Sequence, residues 1–199
     1  MFTGIVETIG TIAKIETKGT NKTFFLESVL AEKCRPEQSI LHDGVCLTVE
    51  SLIDKKIYQV TAVEETLKKT NLGCRKVGDK INLEQSLSME KLMDGHLVQG
   101  HVDLTALCIK VEKLQGSWLY HFELSEETAL IVPRGSIAIN GVSLTIAEIK
   151  GKIFTVTIIP YTYENTNFFS LKAKDAVNIE FDIIGKYVLK QLQHIPTKK

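Results

Sequence analysis

The sequence predicts an all-β protein, with two small closed barrels in tandem followed by one helix. Three observations lead there. Compared with itself at an offset of 96–97 residues, the chain repeats its own motifs in order over almost its whole length. Within each copy, apolar residues alternate with period two in short runs broken by turn residues, the pattern of strands with one buried face. Only the last segment shifts to the period of a helix.

The first copy opens with Gly4-Ile5-Val6-Glu7, answered by Gly100-His101-Val102-Asp103. AKIE at 13–16 is answered by IKVE at 109–112. The segment SILHDGVCLTV (39–49) returns as SIAINGVSLTI (136–146); six of eleven letters coincide, and Cys46 faces Ser143. VTAVEETLKKTNL (60–72) returns as VTIIPYTYENTNF (156–168), and KVGDKINLE (76–84) as KAKDAVNIE (172–180). Two copies are too few for a solenoid, so the repeat marks a duplicated domain. The reading places one unit at 1–95 and a second at 96–185, with SLSMEKLMDG (86–95) as the linker and 186–199 as a helical tail.

Strand character is plain in WLYHFEL (118–124), where Trp118, Tyr120, Phe122 and Leu124 alternate with Leu119, His121 and Glu123. AVNIEFDII does the same with Val177, Ile179, Phe181 and Ile183. Asp43-Gly44, Lys150-Gly151 and Val77-Gly78-Asp79 supply the turns. Several such strands in so short a copy suit a closed antiparallel barrel, since closure leaves no exposed edge. In GKYVLKQLQHI (185–195), Val188, Leu189, Leu192 and Ile195 fall on one helical stripe. That stripe needs a cover, and another subunit is the expected one.

Composition excludes several partners. The 24 basic and 24 acidic side chains of the 199 residues cancel, so no charge steers the chain toward nucleic acid or an anionic membrane. MFTGIVETIG lacks the basic and apolar regions of a secretory signal, and no apolar run approaches the roughly 20 residues of a membrane span. Four cysteines could form two disulfides, but without an export signal reduced thiols in a cytoplasm are expected.

Familiar nucleotide motifs are missing: there is no Walker A sequence, nor a G-x-G-x-x-G between strand and helix. DGHLVQGHVD (94–103) gathers Asp94, His96, His101 and Asp103, yet the first repeat holds no matching set, so no metal is expected. Taken singly, Cys46 reads as a small buried hydrophobe, Ser143, Thr48 and Thr145 as turn residues, and His101 as a strand histidine. Repetition changes their weight. The loops after Gly44 and Gly141, paired with the starts Gly4 and Gly100 of their own copies, would form two similar pockets. A duplicated pocket with its nucleophile changed suits a reaction between two like molecules that are treated differently.

MFTGIVE, DGVCLTV, ETLKKTNLG, GDKINLE, GHLVQGHVD, PRGSIAINGVSLT, the IIP segment and FDIIGKY, in that order over residues 1–190, resemble the riboflavin synthase (alpha-chain) and lumazine protein family. The resemblance implies tandem six-stranded Greek-key barrels and a C-terminal helix that joins three subunits into a homotrimer. It implies a dismutation in which two molecules of 6,7-dimethyl-8-ribityllumazine exchange a four-carbon unit. The products are riboflavin and 5-amino-6-ribitylaminopyrimidinedione. No cofactor or metal takes part, each barrel binds one lumazine, and the working site lies between subunits. Lumazine synthase is a further partner that the resemblance suggests.

Residue by residue, it implies a first pocket of Gly4, Ile5 and Val6, of Cys46, Leu47 and Thr48, and of Thr61, Ala62, Val63, Glu64, Glu65 and Thr66. Phe2 and Thr3 would close it. A second pocket would comprise Gly100, His101 and Val102, then Ser143, Leu144 and Thr145, then Thr157, Ile158, Ile159, Pro160, Tyr161 and Thr162. His101, Ser143, Cys46, Ser39 and Asp182 are the catalytic candidates, with His101 and Ser143 sharing proton transfer and Cys46 activating the other substrate. A histidine near neutral pH suits the removal of a proton from the acidic 7-methyl group of a lumazine. Arg134 stands where family members commonly carry a Lys that reaches the neighbour's ligand, and its planar fork makes a different contact. Asp43 and Asn140 stand where Asn and Asp are frequent. Val63-Glu64 replaces a frequent Met-Pro, while Ile159-Pro160 keeps the pattern. The rival expectation is a non-catalytic chromophore carrier of the same build; a third is an interaction module with no ligand.

Overall fold

The computed structural model describes residues 1–192. The first barrel consists of β1 (Thr8–Lys18), β2 (Asn21–Glu27), β3 (Ser39–His42), β4 (Val45–Leu52), β5 (Ile57–Ala62) and β6 (Lys80–Gln85). The second consists of β7 (Leu104–Lys113), β8 (Trp118–Glu123), β9 (Ser136–Ile139), β10 (Val142–Lys150), β11 (Ile153–Ile158) and β12 (Ala176–Phe181). Both close in the same Greek-key order: β1-β2-β5-β4-β3-β6 is matched by β7-β8-β11-β10-β9-β12. The register slips at Ile12/Lys14 and Val49/Ser51 in one barrel and at Cys108/Lys110 and Ile146/Glu148 in the other. These are equivalent positions, and a bulge there bends a long strand around the small circumference.

Each barrel is filled by inward-facing apolar side chains. Phe24, Leu26, Tyr58, Val60, Ile81 and Leu83 fill the first; Tyr120, Phe122, Phe154, Val156, Val177 and Ile179 fill the second. The two β-hairpins at 39–49 and 136–146 turn on Asp43-Gly44 and Asn140-Gly141. All four residues have φ between 46° and 82°, the two-residue turn whose twist matches its strands. Inward Ile40 faces Leu47, while Leu41 and Cys46, one step along, point outward. That alternation puts Ser39, Cys46 and Thr48 on the outside of the first barrel, and Ser136, Ser143 and Thr145 on the outside of the second.

The barrels meet along a seam. Phe2, Leu41, Val98 and Ala138 form an apolar cluster there with Cys46, and full burial of a side chain as large as Phe2 contributes about 1.5–3 kcal/mol. A cage of buried amides flanks the cluster. Asn82 Nδ2 donates to the Asn140 carbonyl at 3.0 Å, and Asn178 Nδ2 to the Asp43 carbonyl at 2.7 Å. Asn71 and Asn167 N–H groups donate to Asn178 Oδ1 and Asn82 Oδ1, both at 2.7 Å.

Two short helices, α1 (Glu64–Lys69) and α2 (Pro160–Asn165), follow β5 and β11. The tail helix α3 spans Ile183–Leu192 and so takes in residues 183–185, grouped above with the second barrel. It begins there because Asp182 accepts the Ile184 N–H at its Oδ1 (3.0 Å). Ile184, Tyr187, Val188 and Leu192 are exposed on it; Ile195 lies outside the described residues. No described helix is long and apolar enough to cross a membrane.

Candidate functional site

The chain starts cross between the barrels, which corrects the grouping of pockets given above. Ser143 N–H donates to the Gly4 carbonyl (2.7 Å), and Cys46 N–H donates to the Gly100 carbonyl (3.0 Å). Val6 accordingly packs on the second barrel's core and Val102 on the first's. One half-site therefore joins Gly4, Ile5 and Val6 to the Ser143 hairpin; the other joins Gly100, His101 and Val102 to the Cys46 hairpin. The physical reason is the ribbon between residues 1–4 and 95–100. Phe2 and Val98 exchange backbone bonds of 2.8 and 3.1 Å, and His96 N–H donates to the Thr3 carbonyl at 3.1 Å. Pairing of the two starts sends each across the seam.

Glycine is required at both crossing points. Gly4 and Gly100 have φ of +76° and +83°, and a Cβ on them would stand 2.7 Å from Ser143 Cβ and 2.4 Å from Cys46 Cβ.

Two buried carboxylates hold the crossed strands. Glu84 accepts Thr3 N–H and hydroxyl at Oε1 (both 2.8 Å) and Gly4 N–H at Oε2 (2.9 Å). Glu180 accepts Gln99 N–H at 2.6 Å, Gly100 N–H at 2.9 Å and His101 N–H at 3.0 Å. Burial pushes the Glu180 carboxyl up, and these amides pull it partly back. Neither glutamate was singled out in the sequence, although each closes a repeated motif, NLE and NIE.

The two half-sites carry different side chains. Ser143 Oγ is hydrogen-bonded to His96 Nδ1 at 2.7 Å, and His96 Nε2 is buried with no partner. Desolvation lowers the His96 pKa, partly offset by the charge of Asp182, so the imidazole is neutral at neutral pH. Within one chain, therefore, His101 is not the histidine at Ser143. His101 is exposed beside Gly100 on the Cys46 side, and His96, considered above only as a metal donor, is the histidine at Ser143. Cys46 is half-buried, and Ser39 stands opposite Thr48 on the same outer face.

The remaining candidates divide by role. Phe2 and Thr3 are wholly buried, so they support the crossed strands instead of closing a pocket. Leu47, Ala62 and Ile158 face barrel interiors, and Leu144 packs against the second core. Thr61 shares a hydroxyl bond with Thr23 (2.9 Å). Val63 and Ile159 precede α1 and α2 as their N-caps, with Pro160 in the first turn of α2. Glu64 and Glu65 pair with Lys68 and Lys69. The Thr66 and Thr162 carbonyls each accept a threonine hydroxyl at 2.7 Å. Ile5, Thr48, Arg134, Thr145, Thr157 and Tyr161 are exposed, so both half-sites open outward. All four cysteines are free, and among the described residues no three His, Cys, Asp or Glu side chains are placed to hold a metal ion.

Comparison with known proteins agrees with the duplication. A family described as the lumazine binding domain matches twice, at residues 3–86 and 99–182. The riboflavin synthase of Bacillus amyloliquefaciens is 39% identical over 194 residues, covering 96% of this chain and 90% of that protein. That of Schizosaccharomyces pombe is 35% identical, covering 97% and 94%. Among solved structures, LumP complexed with riboflavin superposes with a TM-score of 0.84 at 23% identity, covering 91% of this chain and 99% of the other. A complex of LumP with 6,7-dimethyl-8-(1'-D-ribityl) lumazine gives 0.82.

Proposed function

The chain belongs to the riboflavin synthase family, and from that premise we propose that it converts two molecules of 6,7-dimethyl-8-ribityllumazine into riboflavin and 5-amino-6-ribitylaminopyrimidinedione. The observation that carries this reading is the pair of crossed half-sites, alike in backbone and different in side chains, with Ser143 and His96 in one and Cys46 and His101 in the other. Two identical substrates then meet unequal walls, so one can give up four carbons and the other receive them. The exchange is internally redox-neutral and needs neither oxidant nor reductant. In the Ser143 half, the neutral His96 imidazole and its bonded hydroxyl relay the proton leaving an acidic 7-methyl group. In the other half, the Cys46 thiol polarises the partner substrate. Holding two rings together removes the entropic cost of their encounter.

Both half-sites open outward, so their missing walls come from a neighbouring subunit. The exposed Ile184, Tyr187, Val188 and Leu192 of α3 offer the contact for a homotrimer, and exposed Arg134 reaches toward the neighbour's ligand. Free thiols suit the cytoplasm, and lumazine synthase, as supplier of substrate, is the second partner this reading implies.

The test is incubation of the purified chain with the lumazine and no cofactor. Riboflavin should appear at half the rate of lumazine loss; tight binding without turnover would make the protein a chromophore carrier. Ser143→Ala and Cys46→Ala chains, each inactive, should regain activity when their subunits exchange. Mixtures that stay inactive after demonstrated exchange would place the whole site within one subunit.

A further inference from the structure

We propose that the cleft between the two barrels is a binding site for a small dianionic oxyanion, either inorganic phosphate or the end of a phosphomonoester. The cleft has a volume of about 640 Å³, and none of its lining residues belongs to the half-sites above. Arg75, Lys76 and Lys80 approach it from the first barrel, and Lys172 and Lys174 from the second. Against these five cations stand Asp79 and Asp175 on the walls and Asp43 behind Arg75, which leaves a surplus of two positive charges. Lys80 is partly engaged through Thr11 Oγ1 at 2.7 Å. Asp79 and Asp175 accept the backbone N–H groups of Lys76 and Lys172 at 3.0 and 2.9 Å.

Charge alone would make only a basic surface; a buried unpaired donor makes it a site. Asn140 lines the cleft and is wholly buried, and its Oδ1 accepts from Asn178 N–H (2.8 Å) and Asn71 Nδ2 (3.2 Å). Its Nδ2 has no partner. In the other half the equivalent atom, Asp43 Oδ2, meets Arg75 at 2.5 Å. The residue equivalent to Arg75 is Leu171, which also lines the cleft and whose side chain offers no hydrogen-bonding group. Arg75 Nε is a second buried donor without a partner. Unpaired buried donors are costly, and an oxyanion supplies acceptors to both while meeting the surplus charge.

Titration calorimetry of the intact chain at fixed ionic strength tests this with inorganic phosphate and, separately, glycerol phosphate. Saturable binding of either supports the site; tighter binding of glycerol phosphate identifies a phosphomonoester as the ligand, and equal or weaker binding identifies phosphate. Lys76 and Lys174 are exposed, so the double variant Lys76→Gln/Lys174→Gln folds and should bind about fivefold more weakly. Its lumazine turnover should be unchanged, which separates this site from the reaction. No saturable heat would overturn the proposal. So would equal affinity in wild type and double variant, which would mean an adventitious ion only.

Discussion

The hairpins at 39–49 and 136–146 are copies that carry different outward side chains. Their turns, registers and inward residues agree, and each binds a crossed glycine strand by one backbone bond. They differ in what the outward side chain meets. Ser143 has His96 at 2.7 Å, while Cys46 lies half-buried against the apolar seam. The comparison teaches that the repeat fixes the backbone of each half-site, and that residues with no counterpart in the other copy, His96 foremost, set its chemistry on the reading proposed above.

The largest effect should follow from removing that difference. His96→Ala should lower turnover by about 10²- to 10⁴-fold, the usual range for a positioned proton-transfer group, with lumazine binding retained. Cys46→Ser, which makes the hairpins alike in chemistry, should cost less. Single-turnover riboflavin formation beside fluorescence titration of the lumazine separates the two. Equal losses would break the distinction drawn between the halves.

The barrel cores differ as well, and acid should reveal it. In the first, His42 is wholly buried, bonded to the Ile40 carbonyl (3.0 Å) and the Tyr58 hydroxyl (2.9 Å); the second has Ile139 at that position. Burial lowers the His42 pKa from 6.5 to about 4. The folded state thus binds its proton less readily than the unfolded chain. The contribution is fully present above pH 6.5 and is lost as pH falls toward about 4, amounting to roughly 3 kcal/mol. Glu180 has a raised pKa and opposes this at the acid end, so the His42→Asn variant is the control. Urea unfolding at stepped pH should show the wild type losing roughly 3 kcal/mol more than the variant across that window. Parallel curves would remove His42 from the account.

Much of this was legible beforehand. Period-two runs and a repeated 97-residue offset imply paired barrels, because alternation and turn residues are local signals. The half-site residues were legible as types, through Cys46 facing Ser143. Which start meets which hairpin was not, because crossing depends on the Phe2–Val98 bridge, a pairing over long sequence distance with no local signature. His96 was hidden for a similar reason: its partner is 47 residues away, and its own neighbours suggest a metal cluster. Glu84 and Glu180 carry no local signal, because a strand glutamate normally faces water, whereas these accept amides from the crossed strands.

The smallest effect should come from making the seam symmetric with Asp43→Asn. Asp43 is wholly buried and receives Asn82 N–H (2.8 Å) and Asn167 Nδ2 (2.9 Å) at Oδ1, and Arg75 at Oδ2. An asparagine keeps both Oδ1 bonds, as Asn140 keeps its own in the other half. What changes is the ion pair. Burial raises the Asp43 pKa, and the Arg75 guanidinium offsets only part of that, so the cost of burying the charge is close to the gain from pairing it. Arg75 is 22% exposed and already 4.0 Å from Asp79, so it has solvent and a second carboxylate to turn to. Urea denaturation should therefore show a loss of about 1 kcal/mol. A loss of roughly 3 kcal/mol or more, the value for breaking a buried pair, would mean that the Asp43–Arg75 pair inside the first barrel, and not only the amide cage the halves share, stabilises the fold.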